Sequence, residues 1–110
     1  MMKKLWIVIL GLLEASVQAA DDKGRIVYVS MRCDSCHGGT GRGMLGMARK
    51  LAVDPMKLNL TQIPAGTKDA DLKNAIEKGK AKMPPYGGRV KPEDIDAVVA
   101  YIRSIARSSK

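Results

Sequence analysis

The residues best equipped for chemistry in this sequence are Cys33, Cys36 and His37, which stand together in Cys33-Asp34-Ser35-Cys36-His37. Two thiols three positions apart, followed directly by an imidazole, make the C-x-x-C-H pattern of a covalent c-type haem attachment site. The thiols can add to the two vinyl groups on one edge of a porphyrin, and the next residue then presents its imidazole to the iron. Three other chemistries compete for the same side chains. A disulfide between Cys33 and Cys36 closes too small a loop to stabilise much, and it gives His37 no task. A thioredoxin-like dithiol requires a βαβ setting, which the surrounding sequence lacks. A zinc site requires a fourth ligand, and the 110-residue chain contains no other Cys or His. Haem attachment uses all three residues.

The second axial ligand follows by elimination. His37 is the only histidine, so a second imidazole is ruled out and methionine is the remaining common choice. Met31 precedes the motif, and Met44 and Met47 lie only 7 and 10 residues after His37, a short path round a ring edge. Met83 lies 46 residues on, in Lys82-Met83-Pro84-Pro85-Tyr86. A residue before proline is pushed out of the helical region, and two prolines in a row keep the strap extended and stiff. Met83 is therefore expected to ligate the iron, with Met31, Met44, Met47 and Met56 as core filler.

These groups must be carried by a small basic domain. The chain has 19 Lys plus Arg against 11 Asp plus Glu, a formal +8, and 45% apolar residues, so disorder and a multi-pass membrane protein are excluded. Met1 to Lys4 is basic, Leu5 to Leu13 is apolar, and Val17-Gln18-Ala19 suits a cleavage site, so residues 1–19 read as a secretory signal peptide. Nine apolar residues broken by Gly11 fall short of the roughly 20 that span a bilayer. Residues 20–110 then form one domain, with 17 basic against 10 acidic side chains and only Tyr28, Tyr86 and Tyr101 as large aromatic fillers. A buried macrocycle would supply the apolar centre that three tyrosines cannot.

The expected elements are helical. Asp21-Asp22 opens a stretch from Lys23 to Arg32, with Ile26, Val27 and Met31 on its apolar side. Five glycines among the nine residues from Gly38 to Gly46 make a loop, with room for a short helix from Met44 to Leu51. Thr67 as N-cap and Gly79 as stop bound a third helix. Pro92, followed by Glu93 and Asp94, opens a final helix on which Ile95, Val98, Val99, Ile102 and Ile105 recur at helical spacing. No stretch alternates like a strand. The expected domain is all-α, with three or four short helices joined by long Gly- and Pro-rich connections.

Gly24 and Tyr28 before Cys33-x-x-Cys36-His37-Gly38, then Leu58-Asn59-Leu60-Thr61, Met83-Pro84-x-Tyr86-Gly87-Gly88 and Val99-Ala100-Tyr101-Ile102-Arg103, resemble the class I cytochrome c family in its small bacterial monohaem form. The resemblance covers nearly all of residues 22–107. It implies a cytochrome c fold in which the first and last helices cross, Gly24 permits their close approach, and Tyr28 and Tyr101 pack at the crossing. Family members often carry a proline about ten residues after the histidine, whose carbonyl accepts the imidazole N–H. This chain has Gly46-Met47 there instead, which leaves the acceptor open, a carbonyl of that segment being one candidate.

The function expected is periplasmic electron transfer through one covalent haem c, with Cys33 and Cys36 as attachment points and His37 and Met83 as axial ligands. Filled axial positions leave iron only the ferrous–ferric cycle, and a thioether in an apolar pocket favours the ferrous state. Two alternatives are a haem enzyme or sensor with a displaceable sixth ligand, and a subunit serving as a fixed relay in an oxidoreductase complex. Lys78, Lys80, Lys82, Arg89 and Lys91 flank Met83 and suit acidic docking faces of redox proteins, or peripheral contact with an anionic membrane surface. Scattered charge and few stacking aromatics exclude nucleic acid. Gly41-Arg42-Gly43-Met44-Leu45-Gly46 satisfies G-x-G-x-x-G but lacks the strand before it, so it is read as loop. A monomer is expected.

Overall fold

The computed structural model describes residues 22–108, so the signal peptide assigned to residues 1–19 lies outside the described residues. The elements in chain order are helix α1 over residues 22–30, α2 at Asp34–His37, α3 at Leu45–Leu51, 3₁₀ turns at Pro55–Leu58 and Leu60–Gln62, α4 at Asp69–Lys78 and α5 at Pro92–Ser108. Among the described residues the only β pairing is two isolated bridges, Lys80 with Met83 and Gly87 with Val90, so the fold is all-α.

The core forms where α1 and α5 cross. On α5 the apolar stripe Ile95, Val98, Val99, Ile102 and Ile105 is buried, as its spacing requires. The buried stripe facing it is Gly24, Val27 and Tyr28 on α1, continued by Met31 just past its end. Ile26, expected on that face, is 63% exposed, because the i, i+3, i+4, i+7 positions counted from Gly24 exclude it. Glycine at position 24 is a steric requirement. A Cβ there would lie 2.7 Å from the Tyr101 Cβ and closer still to the Ala97 carbonyl oxygen. Just below the contact, the Tyr28 and Tyr101 rings meet edge to face, with centroids 5.3 Å apart.

The chain leaves α1 through a Schellman reversal. The Arg32 N–H donates to the Val29 carbonyl at 3.0 Å, and the Cys33 N–H donates to that of Tyr28 at 3.0 Å. Arg32 itself is left-handed, with φ 64°. The helix therefore stops before Arg32, earlier than its sequence suggests, and Asp34–His37 winds a separate single turn. That turn and the two 3₁₀ turns are elements that the sequence does not announce. Pieces of three or four residues carry no periodicity, although Asp54 and Asn59 do cap the 3₁₀ turns by accepting the Met56 and Thr61 N–H groups, each at 3.0 Å.

Helix α4 begins later than expected. Thr67 is not its cap, since the hydroxyl donates to the Pro64 carbonyl at 2.8 Å. The start is held instead by the Asp71 carboxylate, which accepts the Lys68 N–H at 3.3 Å, and by Arg103 of α5. The Arg103 guanidinium donates to Asp69 at 2.7 Å and also to the Thr67 carbonyl, so α4 is set by α5.

Candidate functional site

Cys33, Cys36, His37 and Met83 line one cavity of about 480 Å³. That volume lies within the roughly 300–1,000 Å³ of ordinary cofactor sites. The two thiols and the imidazole come from the turn after α1, and the thioether comes from the strap between α4 and α5. Leu51, Val53, Leu58, Ala75 and Pro84 supply apolar wall.

The motif is held rigidly from beneath. The His37 N–H bonds to the Cys33 carbonyl at 2.9 Å, closing α2, while Gly43 and Met44 donate to the His37 and Cys36 carbonyls at 2.7 and 3.0 Å. The Gly-rich loop is thus a cradle for the motif. Tyr28 donates from its buried hydroxyl to the Gly38 carbonyl at 2.6 Å, tying the loop to α1.

The imidazole has a defined tautomer. His37 Nδ1 lies 2.9 Å from the Leu58 carbonyl oxygen, and a carbonyl only accepts, so Nδ1 carries the proton and Nε2 keeps its lone pair. Burial, the larger effect, pushes the His37 pKa below the usual histidine value and so favours the neutral, ligating form, while the Leu58 carbonyl acts more weakly in the opposite direction. The acceptor is thus Leu58, at the end of the first 3₁₀ turn, and not the Gly46-Met47 segment. The Asp54-Pro55 turn signal marks the local bend, but nothing in the sequence marks Leu58 as the partner of a residue 21 positions away.

Burial pushes the Cys33 thiol up to about 11, aided by the nearby Asp34 charge. A thiol so placed is protonated at neutral pH and is a poor thiolate nucleophile, unlike the cysteine of a dithiol oxidoreductase.

The Met83 strap is fastened to the end of α4. The Tyr86 and Gly87 N–H groups donate to the Ile76 and Glu77 carbonyls, each at 2.9 Å, satisfying acceptors that α4 leaves open at its C-terminus. Lys80 and Met83 exchange two backbone bonds of 3.1 and 2.9 Å across a tight turn whose Ala81 is left-handed, with φ 54°. Gly79, with φ 75°, completes the corner, and a Cβ there would sit 2.6 Å from the Met83 carbonyl oxygen. Met83 is half-buried and packs against the core cluster that contains Cys33 and Ile76.

Of the other methionines, Met31 is buried in the core as expected. Met44 and Met56 are 48% and 55% exposed, which corrects their assignment as core filler. Met44 sits just outside the first turn of α3 and Met56 on a short 3₁₀ turn, neither of which presents those positions to the core. Around the cavity Arg32, Lys57, Lys80 and Lys82 contribute to the lining and no Asp or Glu does.

The model of the family described as cytochrome c oxidase, cbb3-type, subunit III, matches residues 19–102. The chain is 31% identical to cytochrome c6 of Picosynechococcus over 94 residues, covering 84% of this chain and 80% of that protein. It is 34% identical to cytochrome c-555 of Methylococcus capsulatus over 90 residues, covering 81% and 65% respectively. Against the cbb3-type cytochrome c oxidase subunit FixP of Bradyrhizobium diazoefficiens it is 32% identical over 84 residues, which span 76% of this chain and 27% of the relative.

Proposed function

The chain belongs to the class I c-type cytochromes, which carry covalently bound haem c, and on that premise we propose that it is a periplasmic electron carrier whose iron is held between His37 and Met83. Membership makes it an electron-transfer protein rather than an enzyme. Cys33 and Cys36 are the attachment thiols. The observation that supports the reading is that Cys33, Cys36, His37 and Met83 line one largely apolar cavity, with Nδ1 of His37 engaged by the Leu58 carbonyl so that Nε2 is left unprotonated. When bound, the haem would supply a one-electron ferrous–ferric couple. The chain's own residues do the rest. Leu58 holds the imidazole tautomer, the α4 carbonyls hold the strap, and the apolar wall excludes water, which favours the ferrous state.

Localisation follows from residues 1–19 acting as a cleaved signal peptide, which leaves residues 20–110 as the working domain. No helix among the described residues is long and apolar enough to cross a membrane. Mass measurement of the periplasmic protein tests the cleavage.

Ligation is tested by replacing Met83 with Ala in the holoprotein. The covalent haem should stay, because Cys33, Cys36 and His37 are untouched, while the potential falls and cyanide binds readily. A wild-type ferric protein that is high-spin, or that already takes up cyanide quickly at neutral pH, refutes the Met83 assignment.

The likeness to a cbb3-type oxidase subunit favours a second reading, in which the same domain serves as a relay docked on one oxidoreductase. Co-purification with a membrane oxidase at physiological salt would support it, and recovery as a free protein would count against it.

A further inference from the structure

Tyr86 stands at a junction that the ligand set does not use. Its ring lies on the cavity wall, its N–H bonds to the Ile76 carbonyl at 2.9 Å, and its hydroxyl donates to the Met31 carbonyl at 3.0 Å, 55 residues away. Met31 lies just past the end of α1, two residues before Cys33. Its carbonyl has no helical continuation, because the Ser35 N–H that would complete the next turn goes to the Arg32 carbonyl at 3.1 Å. The Tyr86 hydroxyl occupies that free acceptor. This one bond joins the strap carrying Met83 to the segment carrying Cys33.

We infer that Tyr86 is a positioning residue whose hydroxyl governs how readily Met83 leaves the iron. The inference rests on Met83 being the sixth ligand. The strap's other backbone bonds, from Tyr86 and Gly87 to α4 and between Lys80 and Met83, tie it only to α4 and to itself. The hydroxyl bond is different, because it crosses to the Cys33 segment, and the strap cannot lift from the cavity without breaking it. The ring is held separately, by packing against the core cluster and by the Arg89 guanidinium 5.6 Å from its centroid. Removing the hydroxyl alone therefore frees the strap and leaves its packing in place.

The experiment measures cyanide uptake by the ferric holoprotein at neutral pH, well below its melting temperature, in wild type, Tyr86→Phe, Arg89→Gln and Met83→Ala. Uptake should be slow in wild type and fast in Met83→Ala. Tyr86→Phe should be about tenfold faster than wild type, equivalent to about 1.4 kcal/mol and within the range of one hydrogen bond. Arg89→Gln should stay within about twofold of wild type. A Tyr86→Phe rate equal to wild type, with Met83→Ala fast, overturns the inference and leaves the ligation intact. An equal gain in Arg89→Gln also overturns it, since any loosening of the strap would then suffice. A wild type as fast as Met83→Ala removes the ligation and the inference together. Amide exchange in the wild-type protein gives a second reading that needs no variant. The Met83 and Tyr86 amides should open together at the limiting rate of cyanide uptake, and a Tyr86 amide protected far longer contradicts a shared opening.

Discussion

The Nδ1 nitrogen of His37 and the carbonyl oxygen of Leu58 are 2.9 Å apart, and this contact orients the imidazole. A side-chain substitution cannot remove a carbonyl, but it can move one. Leu58 is buried on a turn whose start depends on Asp54, which accepts the Met56 N–H at 3.0 Å. Replacing Asp54 by Ala should loosen the turn and shift the haem potential while leaving the haem attached. Voltammetry of the variant against wild type checks this, and an unchanged potential would show that the carbonyl does not depend on the cap.

At the helix crossing, Gly24→Ala should destabilise the holoprotein by about 1–3 kcal/mol, the usual cost of forcing a methyl into a filled contact. The built Cβ lies 2.7 Å from the Tyr101 Cβ, and the nearby Ala97 carbonyl is backbone and cannot rotate away. Denaturant unfolding measures the loss. A variant as stable as wild type would mean that the two helices can separate slightly without penalty.

Tyr28 links stability to alkaline pH. Burial, the largest cause, raises its pKa above the ordinary tyrosine value, and the nearby Asp34 charge acts in the same direction. The folded protein therefore holds the phenolic proton more tightly than the unfolded chain does. Its contribution is intact below about pH 10, the ordinary value, and is lost progressively as pH climbs above it. Tyr28→Phe should cost about 1–3 kcal/mol at neutral pH, because the Gly38 carbonyl loses its buried donor, and should flatten the decline above pH 10. Melting curves of both proteins from pH 7 to about 11 give the comparison.

The basic lining of the cavity predicts a salt-dependent encounter. With Arg32, Lys57, Lys80 and Lys82 on its wall and no acidic side chain among them, the second-order electron-transfer rate with an acidic partner should fall as ionic strength rises. Replacing Lys80 and Lys82 together by Gln should lower the low-salt rate several-fold and make it less sensitive to salt. A wild-type rate that is flat in salt would remove the steering role.

Removal of the haem should unfold the domain. Tyr28, Ile95 and Val98 are the largest fully buried side chains among the described residues, a small centre for a domain that also carries a cavity of about 480 Å³. Ordering the chain costs about 1–2 kcal/mol per residue, which so thin a core cannot offset alone. A Cys33→Ala, Cys36→Ala double variant without haem should therefore show little helix by circular dichroism. A full helical spectrum with cooperative melting would contradict it.

Chemistry that depends on neighbours in the chain could be read directly from the residues. The C-x-x-C-H motif needs only local spacing, and α5 follows from its apolar period and from Pro92, because both are short-range patterns. Met83 is the more instructive case. Its expected role rests on the count of available ligands and on the stiffness of two prolines, yet what brings it to the cavity lined by Cys33, Cys36 and His37 is the bonding of its strap to the Ile76 and Glu77 carbonyls, which no pattern announces. Thr67 and Ile26 went the other way for the same reason. A threonine hydroxyl takes whichever acceptor the fold presents, and an exposed isoleucine differs from a buried one only in what lies opposite. The left-handed turn at Arg32, the Leu58 carbonyl facing His37 and the Tyr86 hydroxyl on Met31 are all backbone relationships. Every residue carries the same backbone carbonyl and amide, so which of them meet is set by how the helices pack, and residue types alone do not record it.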